Sequence, residues 1–175
     1  MMMNALDTER AFRQACGTFA TGITVILTQQ GEEIHGMTAN AFMSVSLNPR
    51  LIAISVNRTS RMHGFLAPEG VTFSVSILQS TQRPVSDAFS RRGTDITPQW
   101  VPTAHQVPVI AGALAWFVCE KAQAIDAGDH TIVIGRVVDF AQHSEDQPLI
   151  FYRGRYFDRV ENGEQEALEF LLLER

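Results

Sequence analysis

The sequence predicts a mainly β protein with flanking helices, its strands antiparallel and closed into a barrel or sandwich. Short segments of alternating or wholly apolar residues recur along the 175-residue chain. Too few helical segments lie between them to supply the crossovers that parallel strands need. A closed barrel also removes the unpaired edges that an open sheet exposes. Hydrophobic residues at 45% and charged residues at 19% allow one sizeable core, with apolar surface left for an oligomer interface. The chain therefore reads as one domain over residues 1–160 followed by a helical tail, 161–175.

Taken in order, Asp7 caps a first helix in which Phe12, Ala15, Cys16 and Phe19 fall at helical spacing, ending between Gly17 and Gly22. Residues 23–28 form a strand, 29–33 a turn, and the segment from Ile34 onward a returning strand. If the stretch from His35 to Pro49 is extended, parity divides it. Met37, Ala39, Ala41, Met43, Val45 and Leu47 point one way, and Thr38, Asn40, Phe42, Ser44 and Ser46 the other. The second face carries hydroxyls, an amide and a ring, without the Lys and Glu that protect an exposed strand. Such a face suits a polar, uncharged ring system; it equally suits packing beneath a loop.

Asn48-Pro49 breaks this strand, and residues 51–56 suit a buried third one. Ser60 caps a short helix over 61–66. Residues 71–78 alternate Val71, Phe73, Val75 and Ile77 with Thr72, Ser74 and Ser76, the pattern of a half-buried strand. Ser80 and Pro84 open a helix toward Phe89, and 91–108 is a long loop containing Trp100. Strands follow at 113–120, 131–139 and 149–152, with 155–160 continuing past a turn at Gly154. In the tail, Leu168, Leu171 and Leu172 share one side of a helix over 164–175 and suit packing on the domain or on a second subunit.

A net charge of −5 and the lack of a basic tract argue against nucleic acid. The N-terminal residues lack a basic region followed by an apolar one, and no apolar run approaches the roughly 20 residues that span a bilayer. No membrane association is expected, and the expected location is cytoplasmic. Cys16 and Cys119 lack CxxC spacing and read as reduced and buried. His35, His63, His105, His130 and His143 are scattered without the spacing of a zinc site, so no metal is expected.

Six motifs occur in order: Phe19-Ala-Thr-Gly22, His35-Gly-Met-Thr-Ala-Asn40, Ser44-Val-Ser-Leu47, Gly112-Ala-Leu-Ala-Trp116, Gly128-Asp-His-Thr-Ile-Val-Ile-Gly135 and Tyr152-Arg-Gly-Arg-Tyr156. Together, from about Phe12 to Tyr156, they resemble the short-chain flavin reductase family. The resemblance implies a homodimer of the FMN-binding split barrel. It implies NADH or NADPH as hydride donor, FMN or FAD as acceptor, and a partner monooxygenase that receives the reduced flavin. It also implies that Thr38, Ala39 and Asn40 lie along the isoalloxazine edge, while Ser44, Ser46, Asn57, Ser60 and Arg61 serve the ribityl and phosphate region. Phe89 would pack near the ring system. His130 would position the nicotinamide rather than abstract a proton, with Arg155 and Tyr156 at the same mouth.

Read as residues alone, several of these have a second meaning. Arg61 beside a helix start offers a cation and free amides to a phosphate, or is a solvated helix residue. Phe89 is equally a core aromatic, His130 a turn residue capping a strand, and Arg155 and Tyr156 edge-strand residues. Pro49-Arg50 stands where the family has a double proline, and the tail beyond Val160 falls outside the resemblance. The implied chemistry belongs to the cofactors, so no catalytic triad is needed. The protein has mainly to hold two rings about 3 to 3.5 Å apart. A non-catalytic flavin carrier on the same fold is the rival reading, and a plain interaction domain a third.

Overall fold

The computed structural model describes residues 5–90, 96–143 and 145–160. In chain order the elements are α1 (Ala5–Cys16), β1 (Thr21–Gly22), β2 (Thr24–Gln30), β3 (Glu33–Ala39), β4 (Phe42–Leu47), β5 (Arg50–Asn57) and α2 (Arg61–Leu66). There follow β6 (Thr72–Ile77), a short 3-10 turn (Ser80–Gln82), α3 (Arg83–Ala88), β7 (Trp100–Val101), β8 (Val109–Ile110), β9 (Ala115–Ala127), β10 (His130–Gln142), β11 (Ile150–Tyr152) and β12 (Arg155–Phe157).

Seven strands form one antiparallel sheet in the order β3-β2-β6-β9-β10-β5-β4. Its two outer strands, β3 and β4, are consecutive in the chain with only Asn40 and Ala41 between them. The sheet therefore curls until its edges meet at that junction, which gives an antiparallel split barrel. A second sheet, β1-β11-β12, packs beside it. Among the described residues no helix is long and apolar enough to cross a membrane.

Strand parity divides the core. Ile26, Ile54, Val56, Phe73, Val75, Cys119 and Val133 fill the barrel interior. Val25, Leu27, Leu78, Val107, Val109, Ile110, Val118 and Leu149 form a second layer outside it. Gly135 is required where the interior is tightest, because a Cβ there would lie 2.7 Å from the Phe73 ring and 2.9 Å from the Cys119 Cβ. Burial pushes the Cys119 thiol up to about 12, so it acts as a small apolar group rather than a nucleophile. Lys121 is the one lysine of the sequence, and its side chain is 3% exposed. Its Nζ donates to the Ala67 carbonyl at 2.6 Å, at the end of α2, and lies 3.5 Å from the Glu69 carboxylate.

Many expected elements occur within a residue or two of their predicted bounds, although β9 runs seven residues past its expected end at 120, β12 stops at Phe157, and the expected 91–108 loop contains β7. Ser60 caps α2 by accepting from the His63 N–H at 3.2 Å. Four expectations are corrected. The helix begins before Asp7, which sits in its first turn instead of capping it. The stretch from His35 to Pro49 is two strands on opposite edges of the sheet, because the chain turns at Asn40-Ala41 to close the barrel. Cys16 is exposed, since the apolar side of α1 does not enter the core. Strand β6 is buried on both faces, because residues 107–110 cover its serines. The tail helix lies outside the described residues.

Each of those buried serines has a hydrogen-bond partner in the covering segment. Ser74 Oγ donates to the Pro108 carbonyl at 2.5 Å, and Ser76 Oγ accepts the Ile110 N–H at 3.0 Å. Ser74→Ala would leave the Pro108 carbonyl unpaired in a dry layer. Urea denaturation is expected to show a loss of about 1–3 kcal/mol; an unchanged midpoint would mean that water replaces the hydroxyl.

Candidate active site

A cleft of about 720 Å³ opens on the outer face of β4, β5 and β10. Its floor is Ala41, Met43, Ala53 and Ile132, with Ser55 rising between them. The parity of β5 explains the arrangement. Ile52, Ile54 and Val56 are buried, so Ala53 and Ser55 face the other way, and Ser55 lies opposite Ile132 across the ladder. Phe12, Arg13 and Cys16 of α1, with Phe19, wall one side, and Phe151 closes an end. Asn40 and His130 supply the polar margins. Asn40 sits at the junction that closes the barrel, where its Nδ2 donates to Thr21 Oγ1 at 3.3 Å.

His130 begins β10 after a Gly128 turn at φ 64°, a left-handed conformation that glycine adopts freely. Its Nδ1 lies 2.8 Å from Asp129 Oδ1. The hydrogen bond from His130, and then its charge, hold the Asp129 carboxyl below the usual carboxylate range. The Asp129 carbonyl accepts the Arg58 N–H at 3.0 Å, tying this turn to the one after β5. The imidazole is thereby oriented from its own turn while its side chain remains 39% exposed to the cleft.

Of the residues expected at the site, Asn40 and His130 meet in this cleft. Asn57 lies directly across the ladder from His130, its Oδ1 accepting from the Thr59 N–H at 2.8 Å and from Thr59 Oγ1 at 2.6 Å. Ser60 donates to the Asn57 carbonyl at 2.7 Å, so the turn leading into α2 adjoins the histidine. Arg61 is exposed and points toward β3, 3.2 Å from Glu33. There it and burial hold the His35 imidazole below its ordinary value, burial being the larger cause, while Glu33 opposes them. His35 also stacks on Phe65 at 4.6 Å.

Other expected residues lie elsewhere. Thr38 turns to α3, its Oγ1 donating to the Ser86 carbonyl at 2.6 Å. Ala39 packs against the barrel interior. A β-bulge at Val45 separates Ser44 from Ser46 on β4, so they no longer share the face of one regular strand. Phe89 is a core aromatic: a Cβ on Gly36 would lie 2.3 Å from its ring. Tyr156 shares a hydrogen bond of 2.9 Å with Ser86 and packs edge-on against Phe151, while Arg155 is exposed on β12.

Sequence reading missed Ser55 and the wall supplied by α1. A signal existed for Ser55, a hydroxyl inside the apolar run of 51–56. For Phe12 and Phe19 the apolar spacing was visible, but the strands they face across the cleft lie far along the chain.

The cleft is mostly apolar and margined by an amide and an imidazole. Residues 16–159 match the family model described as flavin reductase like domain. The reductase component of the flavin-dependent trigonelline monooxygenase of Acinetobacter baylyi is 40% identical over 159 residues, 89% of this chain but only 50% of that protein. The FMN reductase (NADH) SmoA of Agrobacterium fabrum is 40% identical over 151 residues, 86% of each chain. Among solved structures, the NADH:FAD oxidoreductase of Streptomyces globisporus, in complex with NAD and FAD fragments, superposes with a TM-score of 0.82 at 33% identity, covering 95% of this chain and 99% of that one. The chain spans about half the length of the first of these relatives and most of the other two. With the matched residues and the fold in agreement, this chain belongs to the flavin reductase like domain family.

Proposed function

We propose that the protein is an NAD(P)H-dependent flavin reductase that supplies reduced FMN or FAD to a partner monooxygenase. The observation that carries this reading is the juxtaposition of Asn40 and His130 across an apolar cleft wide enough for a fused ring. The pair of bound cofactors supplies the chemistry, a hydride passing from dihydronicotinamide to flavin N5. The chain's own tasks are binding, orientation and exclusion of water. Asn40 and Ser55 offer hydrogen-bonding groups at the floor and margin. His130, braced by Asp129, faces the mouth where a nicotinamide carboxamide can be held. Asn57 and Ser60 adjoin that mouth and suit the ribityl and phosphate region, toward which Arg61 would have to turn from Glu33.

The reading includes a homodimer. Met43, Val45, Leu47 and Phe140 are 44–62% exposed in the single chain, an apolar surface suited to burial against a second copy. It also places the protein in the cytoplasm, for which free Cys16 and Cys119 are suited. Oxidation of NADH and of NADPH followed at 340 nm, with FMN, FAD and no flavin in parallel, tests it. Flavin-dependent turnover above the free-flavin background is expected. Tight flavin binding without turnover would replace it with the carrier reading.

A further inference from the structure

Beside the cleft lies a second hollow of about 670 Å³, and its lining is basic. Arg10 and Arg13 stand three residues apart on one side of α1, and Arg153 comes from the turn between β11 and β12. That turn is fixed against the helix end: the Arg153 N–H donates to the Gly17 carbonyl at 2.8 Å, with Arg153 at φ 49°. Arg13 pairs with Glu9 at 2.5 Å. Arg153 lies over the Tyr152 ring at 5.2 Å. Neither Arg10 nor Arg153 has a carboxylate partner among the described residues. In a chain of net charge −5, three guanidinium groups around one hollow, one of them paired with Glu9, make a locally basic lining.

Planar guanidinium groups match phosphate oxygens in pairs, which an ammonium does not. The hollow and the cleft share Arg13 and Gly17 as a common wall. We propose that the hollow receives the pyrophosphate of the pyridine dinucleotide whose nicotinamide enters the cleft at His130, a placement that rests on the reductase reading. Contacts to this non-reacting part of the donor hold the whole molecule without changing the hydride step.

The test pairs the wild type with an Arg10→Gln, Arg153→Asn double variant. Asparagine tolerates the left-handed backbone at 153, and circular dichroism checks the fold. Calorimetry with ADP-ribose, which carries the pyrophosphate without the nicotinamide, should show binding weakened by at least about tenfold. In steady state with FMN, KM for NADH should rise by a similar factor at unchanged kcat. The kcat/KM of N-benzyl dihydronicotinamide, a donor without phosphate, should stay the same, as should FMN affinity. Arg→Lys at both positions should recover part of the loss.

Equal ADP-ribose binding by both proteins, or by neither, overturns the proposal. So does an equal fall with the phosphate-free donor, which would mark a structural effect, or weakened FMN binding alone, which would assign the hollow to the flavin phosphate. If ADP-ribose binding is lost in the variant while the wild type turns over no donor, the phosphate site stands and the reductase reading falls.

Discussion

His130→Ala is expected to lower kcat/KM for NADH-driven flavin reduction by about 100-fold, the scale on which a misplacement near 1 Å acts on a positioned reaction. The side chain faces the cleft, and its Nδ1 is held 2.8 Å from Asp129, so its remaining nitrogen is presented in one orientation. Among the described residues no other imidazole lines that cleft. Asp129→Asn keeps the shape of the brace but loses its charge, and should reproduce part of the loss. Flavin affinity, measured by fluorescence quenching, should be unchanged in both variants. A fall in flavin affinity equal to the fall in turnover would show that His130 serves the flavin, and no fall in either would leave it a turn residue.

The largest stability effect is expected from Phe73→Ala. Phe73 is fully buried and fills the barrel interior against the bare backbone of Gly135 and the Cys119 side chain. On the Gly135 side there is only bare backbone, so no side chain there can fill the void. Truncation should cost about 3–5 kcal/mol. For a domain of this size that corresponds to a fall of roughly 6–20 °C in Tm by calorimetry. A loss near 1 kcal/mol would mean that β10 shifts inward to close the gap.

Local features were legible in the sequence where their cause was local. Ser60 caps α2 with a hydrogen bond three residues on, and the 29–33 turn folds β2 onto β3, because both depend on neighbours in the chain. Features set by distant segments were not legible. Ser74 and Ser76 read as a solvated face until residues 107–110 are laid over them. The parity of 35–49 described each strand in part, but not the turn at Asn40-Ala41 or the bulge at Val45, since both arise from closing the barrel. Asn40 and His130 lie 90 positions apart in sequence, and their meeting follows only from β10 pairing with β5 beside β4.

The burial of Lys121 has a practical side. With the sequence's one side-chain amine held against the Ala67 carbonyl, acylating reagents, amine cross-linkers and lysine-directed dyes find no accessible lysine on the folded domain. Labelling at Lys121 then reports the opening of the segment between α2 and β9, so its rate measures local unfolding rather than surface chemistry.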